Sequence, residues 1–181
     1  MSRRVRGGSL ALALPGLLGC ILAGCTGSTT ANLVQAPVPA HRGPAGDLLQ
    51  QVRSAGQVGV ELDVQPLRDP QVADLRAAAT EAEARRDFDA ARASVDQALQ
   101  LAPDDPDLLQ WRAELFLERR DFDDAARLAQ RSYDTGPKSG GLCRRNLATI
   151  RLAAEARGDA ARAAEAGQLA AACKIAPPVR M

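Results

Sequence analysis

Two stretches decide the fold: Arg85-Arg86-Asp87-Phe88-Asp89 and Arg119-Arg120-Asp121-Phe122-Asp123 are the same five residues displaced by 34 positions, and Pro103 and Pro137 share that displacement. Five identical residues and a proline in one register exceed what shared composition produces. A period of about 34 belongs to repeats built as helix-turn-helix units. The chain around the two stretches carries apolar residues at helical spacing. Asp69-Pro70 and Asp105-Pro106 each read as an N-cap followed by proline at the first helical position, where its missing N–H costs nothing. The pattern predicts an all-α array of paired amphipathic helices.

At these residues the chain resembles the tetratricopeptide repeat (TPR) family, whose pattern runs W-x2-L-G-x2-Y, then A-x3-F, then P. The first unit, 72–105, supplies Leu75, Ala78, Ala79 and Ala82, then Ala91, Val95, Ala98 and Pro103. The second, 106–139, supplies Leu109, Ala113 and Phe116, then Ala125, Ala129 and Pro137. A third, 144–177, emerges when Ser139 to Cys143 is read as an extended linker. Leu147, Ile150 and Ala154 then fill its first helix, Gly158-Asp159 the turn, and Ala163, Gly167 and Ala170 the second, with the closing proline moved to Pro177. The resemblance implies a short right-handed solenoid of about three TPR-like helix hairpins over 72–177. Leu75, Leu109 and Leu147 stand where the family has Trp, and Arg112 where Leu is usual, so the helices bury modest area. Phe88 and Phe122 read as the packing aromatics that follow each turn.

The resemblance also implies a function by contact, because in the family the first helices line a groove that takes a peptide or a partner helix. The side chains expected to face it are Arg76, Thr80 and Glu83, then Gln110, Trp111, Glu114 and Leu117, then Arg145, Ala148 and Leu152. The family's Asn/Lys clamp on a C-terminal carboxylate needs Asn where this chain has Thr80 and Trp111, so that clamp is not carried over. Trp111 reads either as a binding hot spot or as core packing with Leu108 and Leu115. Arg85, Arg86, Arg119 and Arg120 read as a solvated face beside capping acids. The expected partner is a protein or peptide, with self-association of the repeats as an alternative. A cell-envelope enzyme, or an enzyme regulator with an unrecognised site, is the reading from another class. It would need a nucleophile with a base, or paired carboxylates in a pocket, and Asp121, Asp123 and Asp124 sit on a turn where capping explains them. No catalytic residue and no cofactor is expected.

The N-terminus reads as an address. Arg3, Arg4 and Arg6 precede an apolar run from Leu10 to Leu22, too short for the roughly 20 helical residues that cross a bilayer core. The run ends in Leu22-Ala23-Gly24-Cys25, which resembles the box of bacterial lipoprotein precursors. That resemblance implies removal of residues 1–24 and lipidation of Cys25, the alternative being an ordinary secretory signal with an incidental Cys. Leu17-Leu18-Gly19-Cys20 is a poorer second box. Thr26, rather than Asp, follows Cys25, which in a Gram-negative cell implies the outer membrane, facing the periplasm. Residues 25–46, with Pro37, Pro39 and Pro44, read as a lipidated Cys and flexible tether. Residues 47–71 read as a short helix, with Asp47 as N-cap, Leu48, Leu49 and Val52 on one side and Gly56 as stop. An extended segment with Val58, Val60, Leu62 and Val64 in alternation follows it.

Export and hairpin geometry together suggest a role for Cys143 and Cys173. The third unit's helices are of equal length, so its start and finish lie side by side, and an exported chain occupies a compartment where disulfides persist. A structural disulfide is expected there, with two free thiols as the alternative.

Composition bounds the rest. The chain has 181 residues, a formal net charge of +1, a single histidine and no Gly-rich phosphate loop. Loss of the three signal arginines takes the charge to −2. A near-neutral balance argues against nucleic acid, whose binders carry clustered basic surplus. One histidine, His41 in the tether, removes any His-rich metal site.

Overall fold

The computed structural model describes residues 45–58 and 69–174, all within the compact unit Ala36–Met181. Over these residues the chain is helical throughout: α1 (Ala45–Gly56), α2 (Pro70–Ala84), α3 (Phe88–Leu101), α4 (Pro106–Glu118), α5 (Phe122–Thr135), α6 (Gly140–Ala156) and α7 (Ala160–Ala172). The expected signal, Cys25, His41, most of the extended segment and Pro177 lie outside the described residues. None of the described helices is long and apolar enough to cross a membrane.

Helices α2–α3, α4–α5 and α6–α7 pack as three hairpins, and α5 packs on α6 to continue the stack. One piece of turn chemistry makes all three. Arg86 and Arg120 take φ 60° and 65°, and Gly158 takes φ 77°, so each first helix ends in a left-handed residue. The next N–H then reaches back five residues: Asp87 to the Ala82 carbonyl at 2.9 Å, Asp121 to Phe116 at 3.0 Å, Asp159 to Ala154 at 2.9 Å. Those bonds satisfy carbonyls that the helix end leaves open. Asp87 and Asp159 then cap the following helix, their Oδ1 atoms accepting from the N–H groups of Ala90 and Arg162. Asp121 pairs with Arg119 instead.

The caps expected from the Asp-Pro pairs form: Asp69 accepts from the Gln71 N–H, and Asp105 from those of Asp107 and Leu108. Small residues fill the interfaces. Ala79, Ala91, Ala98, Ala113, Ala125 and Ala129 are fully buried, with Leu109 and Leu147 at the places of the family Trp buried beside them. Ala78, expected to pack, is exposed. Phe88 and Phe122 pack against the hairpin cores. Arg112 is accommodated by pairing with Asp96 and lying 3.9 Å over the Phe116 ring.

Two boundaries differ from the sequence reading. Helix α1 starts at Ala45, so Ala45 and Gly46 are helical rather than tether, and Asp47 is inside the helix rather than its cap. Residues 140–143 are helical rather than an extended linker. Ser139 is extended, Gly140 turns the chain with φ 83°, and its N–H donates to the Cys173 carbonyl at 3.0 Å. The third unit therefore begins at Gly140 rather than at residue 144, and α6 has 17 residues where α4 has 13. That extra helical turn explains why the repeat slips from 34 residues between the Ala82 and Phe116 turns to 38 between Phe116 and Ala154. It also carries Cys143 onto the helix, where a disulfide joins it to Cys173 at the end of α7, with Cα atoms 5.8 Å apart.

Candidate partner-binding groove

The first helices α2, α4 and α6 bring one set of side chains to a common face, and α1 lies against it. Leu48 and Val52 cluster with Leu117 of α4 and Ala148, Leu152 and Ala153 of α6. At the other end Gly56 fits so closely that a Cβ there would come within 2.7 Å of Arg145 Cγ and 3.4 Å of the Gly141 carbonyl. Helix α1 therefore runs antiparallel to α6, its C-terminus at the start of that helix. Arg144 fixes this end: its Nε donates to the Ala55 carbonyl and its Nη2 to that of Gly56, both at 3.1 Å, while Nη1 donates to Cys173. A guanidinium on the last carbonyls of a helix satisfies open acceptors and opposes the negative end of its dipole.

Beneath α1 lies a charged cluster. The Glu114 carboxylate is fully buried. Its Oε1 accepts from Arg145 Nε at 2.8 Å and Nη2 at 2.5 Å and from Gln110 Nε2 at 3.1 Å, and its Oε2 accepts from Arg53 Nε at 3.0 Å. Arg53 Nη2 reaches across to both oxygens of Glu83, at 3.0 and 2.9 Å. Glu83 Oε1 also accepts from the Trp111 indole N–H at 2.8 Å. Gln110 donates to Thr149 at 2.8 Å. Burial works against the charge on Arg53, yet the carboxylates of Glu114 and Glu83, with the hydrogen bonds they accept, hold its pKa above the ordinary arginine value. The fixed planar fork of the guanidinium sends Nε to one carboxylate and Nη2 to the other, a spread of donors that the compact ammonium of lysine lacks.

Of the ten side chains expected to face a partner, five are covered. Gln110, Glu114, Leu117, Ala148 and Leu152 are buried and do not present an open surface. The face expected to take a partner, shared by α2, α4 and α6, is occupied over its apolar part by α1. Apolar groups such as Leu117 and Leu152 leave water when a helix covers them, and α1 supplies Leu48 and Val52 for that purpose. Arg76, Glu83, Trp111 and Arg145 remain partly accessible, and Thr80 is exposed, donating its hydroxyl to the Arg76 carbonyl.

The accessible members meet in a cavity of about 480 Å³ at the end of the groove, lined by Arg53, Arg76, Glu83, Asp107, Trp111 and Arg145 among others. Trp111 is half-buried, and its core-packing reading is the one the contacts bear on. One side packs on the cores of the first hairpin, and the ring carries the Arg76 guanidinium 5.5 Å from its centroid at the cavity wall. Arg85 pairs with Glu81, and Arg119 with Asp121, consistent with a solvated face at the turns. No group of three or more His, Cys, Asp or Glu able to hold a metal occurs among the described residues.

Sequence reasoning missed Arg53, Arg144 and Gly56. The signal was an amphipathic helix, 45–56, with apolar residues to cover, an arginine on the same side, and no assigned packing partner.

No curated protein and no solved structure gives a match to the chain. Residues 82–140, from the end of α2 to the start of α6, match the tetratricopeptide repeat family model. With the same turn and the same hairpin repeated through α7, this is a protein that contains tetratricopeptide repeats.

Proposed function

We propose that this protein is a lipid-anchored cell-envelope scaffold whose repeat domain binds a protein partner through the face shared by α2, α4 and α6. The observation that carries the reading is that this face holds a helix: α1 is seated on it through apolar contacts and a buried charge cluster. Repeats of this family generally mediate protein contact. The envelope assignment is supported by the arginine-led apolar leader and the Leu22-Ala23-Gly24-Cys25 box, with Cys25 as the acylated residue and the periplasmic side of an outer membrane as the site of work. Several acyl chains would hold the protein firmly, since each buried CH2 contributes about 0.8 kcal/mol.

The reading assigns the domain to assembly rather than catalysis. It is supported by the state of the two carboxylates that meet in the groove, since Glu83 and Glu114 are both engaged by guanidiniums rather than poised beside a nucleophile. Fractionation of cells carrying Cys25→Ala tests the anchor: the variant should leave the membrane fraction, and unchanged retention refutes it. Crosslinking in cells tests the scaffold. A reproducible protein partner lost on Trp111→Ala supports the groove, and turnover of an envelope substrate by the purified chain, with no partner captured, overturns it.

A further inference from the structure

The charge cluster under α1 is balanced only while α1 is seated. Arg53 and Arg145 face Glu83 and Glu114, and the adjoining cavity adds Arg76 and Asp107. With α1 withdrawn, three carboxylates would face two guanidiniums, and the buried Glu114 would keep Arg145 but lose Arg53. Desolvated carboxylates one cation short favour entry of a cation, and the paired geometry at Glu83 and Glu114 suits a guanidinium fork.

Next to this acidic slot runs the apolar strip of Leu117, Ala148 and Leu152. On α1, Leu48 and Val52, four residues apart, meet the apolar strip, Arg53 meets the carboxylates, and Leu49, four residues before Arg53, is buried as well. The face thus measures two things at once: a pair of apolar residues at helical spacing, and an arginine immediately after the second of them.

We propose that the groove is a receptor for an amphipathic helix of a partner protein with the pattern apolar-apolar-x-x-apolar-Arg. In this arrangement Glu83 and Glu114 are its arginine clamp, and α1 is an intramolecular copy of the ligand that the partner displaces. The proposal rests on the reading that this face is the partner surface. Helix α1 is joined to α2 by residues 57–69, a connector short enough to keep it at millimolar effective concentration near its seat. A partner helix making the same contacts therefore binds weakly until it offers more contacts than α1, or until α1 is held elsewhere.

The test uses the full chain in mild detergent and a fluorescent peptide of residues 45–58. Wild-type chain should bind the peptide weakly, and chain carrying Val52→Asp, which unseats its own α1, should bind it at least tenfold more tightly. A second chain, Gly56→Val, should do the same by a different route, and hydrogen exchange should show α2 to α7 still protected in both. On the opened chain, peptide with Arg53→Ala should bind at least tenfold more weakly than peptide with Arg53, a preference that Glu83→Gln in the chain should shrink. Binding that ignores the arginine overturns the clamp. Absence of binding by both opened chains, with α2 to α7 protected, overturns the receptor proposal. A partner captured in cells and lost on Trp111→Ala would nonetheless keep the scaffold reading alive. A wild-type dimer abolished by Val52→Asp would assign the groove to a second copy of the chain and also overturn the proposal.

Discussion

Removing the Cys143–Cys173 bond should cost this domain a large part of its stability and should loosen the groove along with α7. The bond spans 30 residues of sequence. In the chain-entropy treatment a closed loop of that size restricts the unfolded chain by about 12 cal/mol/K, or about 3.6 kcal/mol at 25 °C. Domains of this size have total stabilities of about 5–15 kcal/mol, so the term is not marginal. Its effect also reaches beyond the third hairpin, because the Cys173 carbonyl accepts from the Gly140 N–H and from Arg144, whose other nitrogens hold the end of α1. The assay is urea unfolding of the wild-type chain with and without reductant, alongside Cys143→Ala with Cys173→Ala. With a slope of about 1–2 kcal/mol/M, the midpoint should fall by about 2–4 M in both reduced and double-alanine proteins. Hydrogen exchange should accelerate in α7 and in 50–56 before it does in α2 and α3. Equal midpoints, or loosening of α7 that leaves α1 fully protected, would refute the coupling through Arg144.

Two further perturbations test the account at single residues. Arg86 is held in the left-handed region, which costs an ordinary residue about 1 kcal/mol, so Arg86→Gly should raise stability by a few tenths to 1 kcal/mol in thermal unfolding; a clear loss would mean that the Arg86 side chain over Phe88 matters more than its backbone. Asn146 is fully buried in α6, and neither its Oδ1 nor its Nδ2 has a hydrogen-bond partner among the described residues, so Asn146→Leu should be neutral or stabilising by about 1 kcal/mol; destabilisation by more than that would show that the amide is satisfied in solution.

The hairpins were legible because their information is local. Asp-Pro starts, Arg-Arg-Asp turns and Ala-rich interfaces each specify structure within a few residues, and a period of 34 then repeats them. The third hairpin was legible less exactly. Its four extra residues form one more helical turn, which leaves the face of the helix nearly unchanged and so hides in the sequence as a linker. Helix α1 was legible as a helix, with Leu48, Leu49 and Val52 on its buried side. Its seat was not, because Arg53 and Glu114 are 61 residues apart and nothing near either names the other. The unexplained fact in the sequence was a groove lined with Leu117, Ala148 and Leu152, more apolar than a water-filled surface favours, beside a short helix with an apolar face to bury. Two such faces in one small chain satisfy each other.

The groove of the repeats holds α1 as its seated helix. Methyl-selective NMR on the purified chain tests this most directly. Cross-peaks are expected from the Val52 methyls to those of Leu117 and Leu152, with their loss on Gly56→Val while signals between Leu109 and Leu147 persist. Val52 methyls with no contact to Leu117 or Leu152 in the wild-type chain would contradict it.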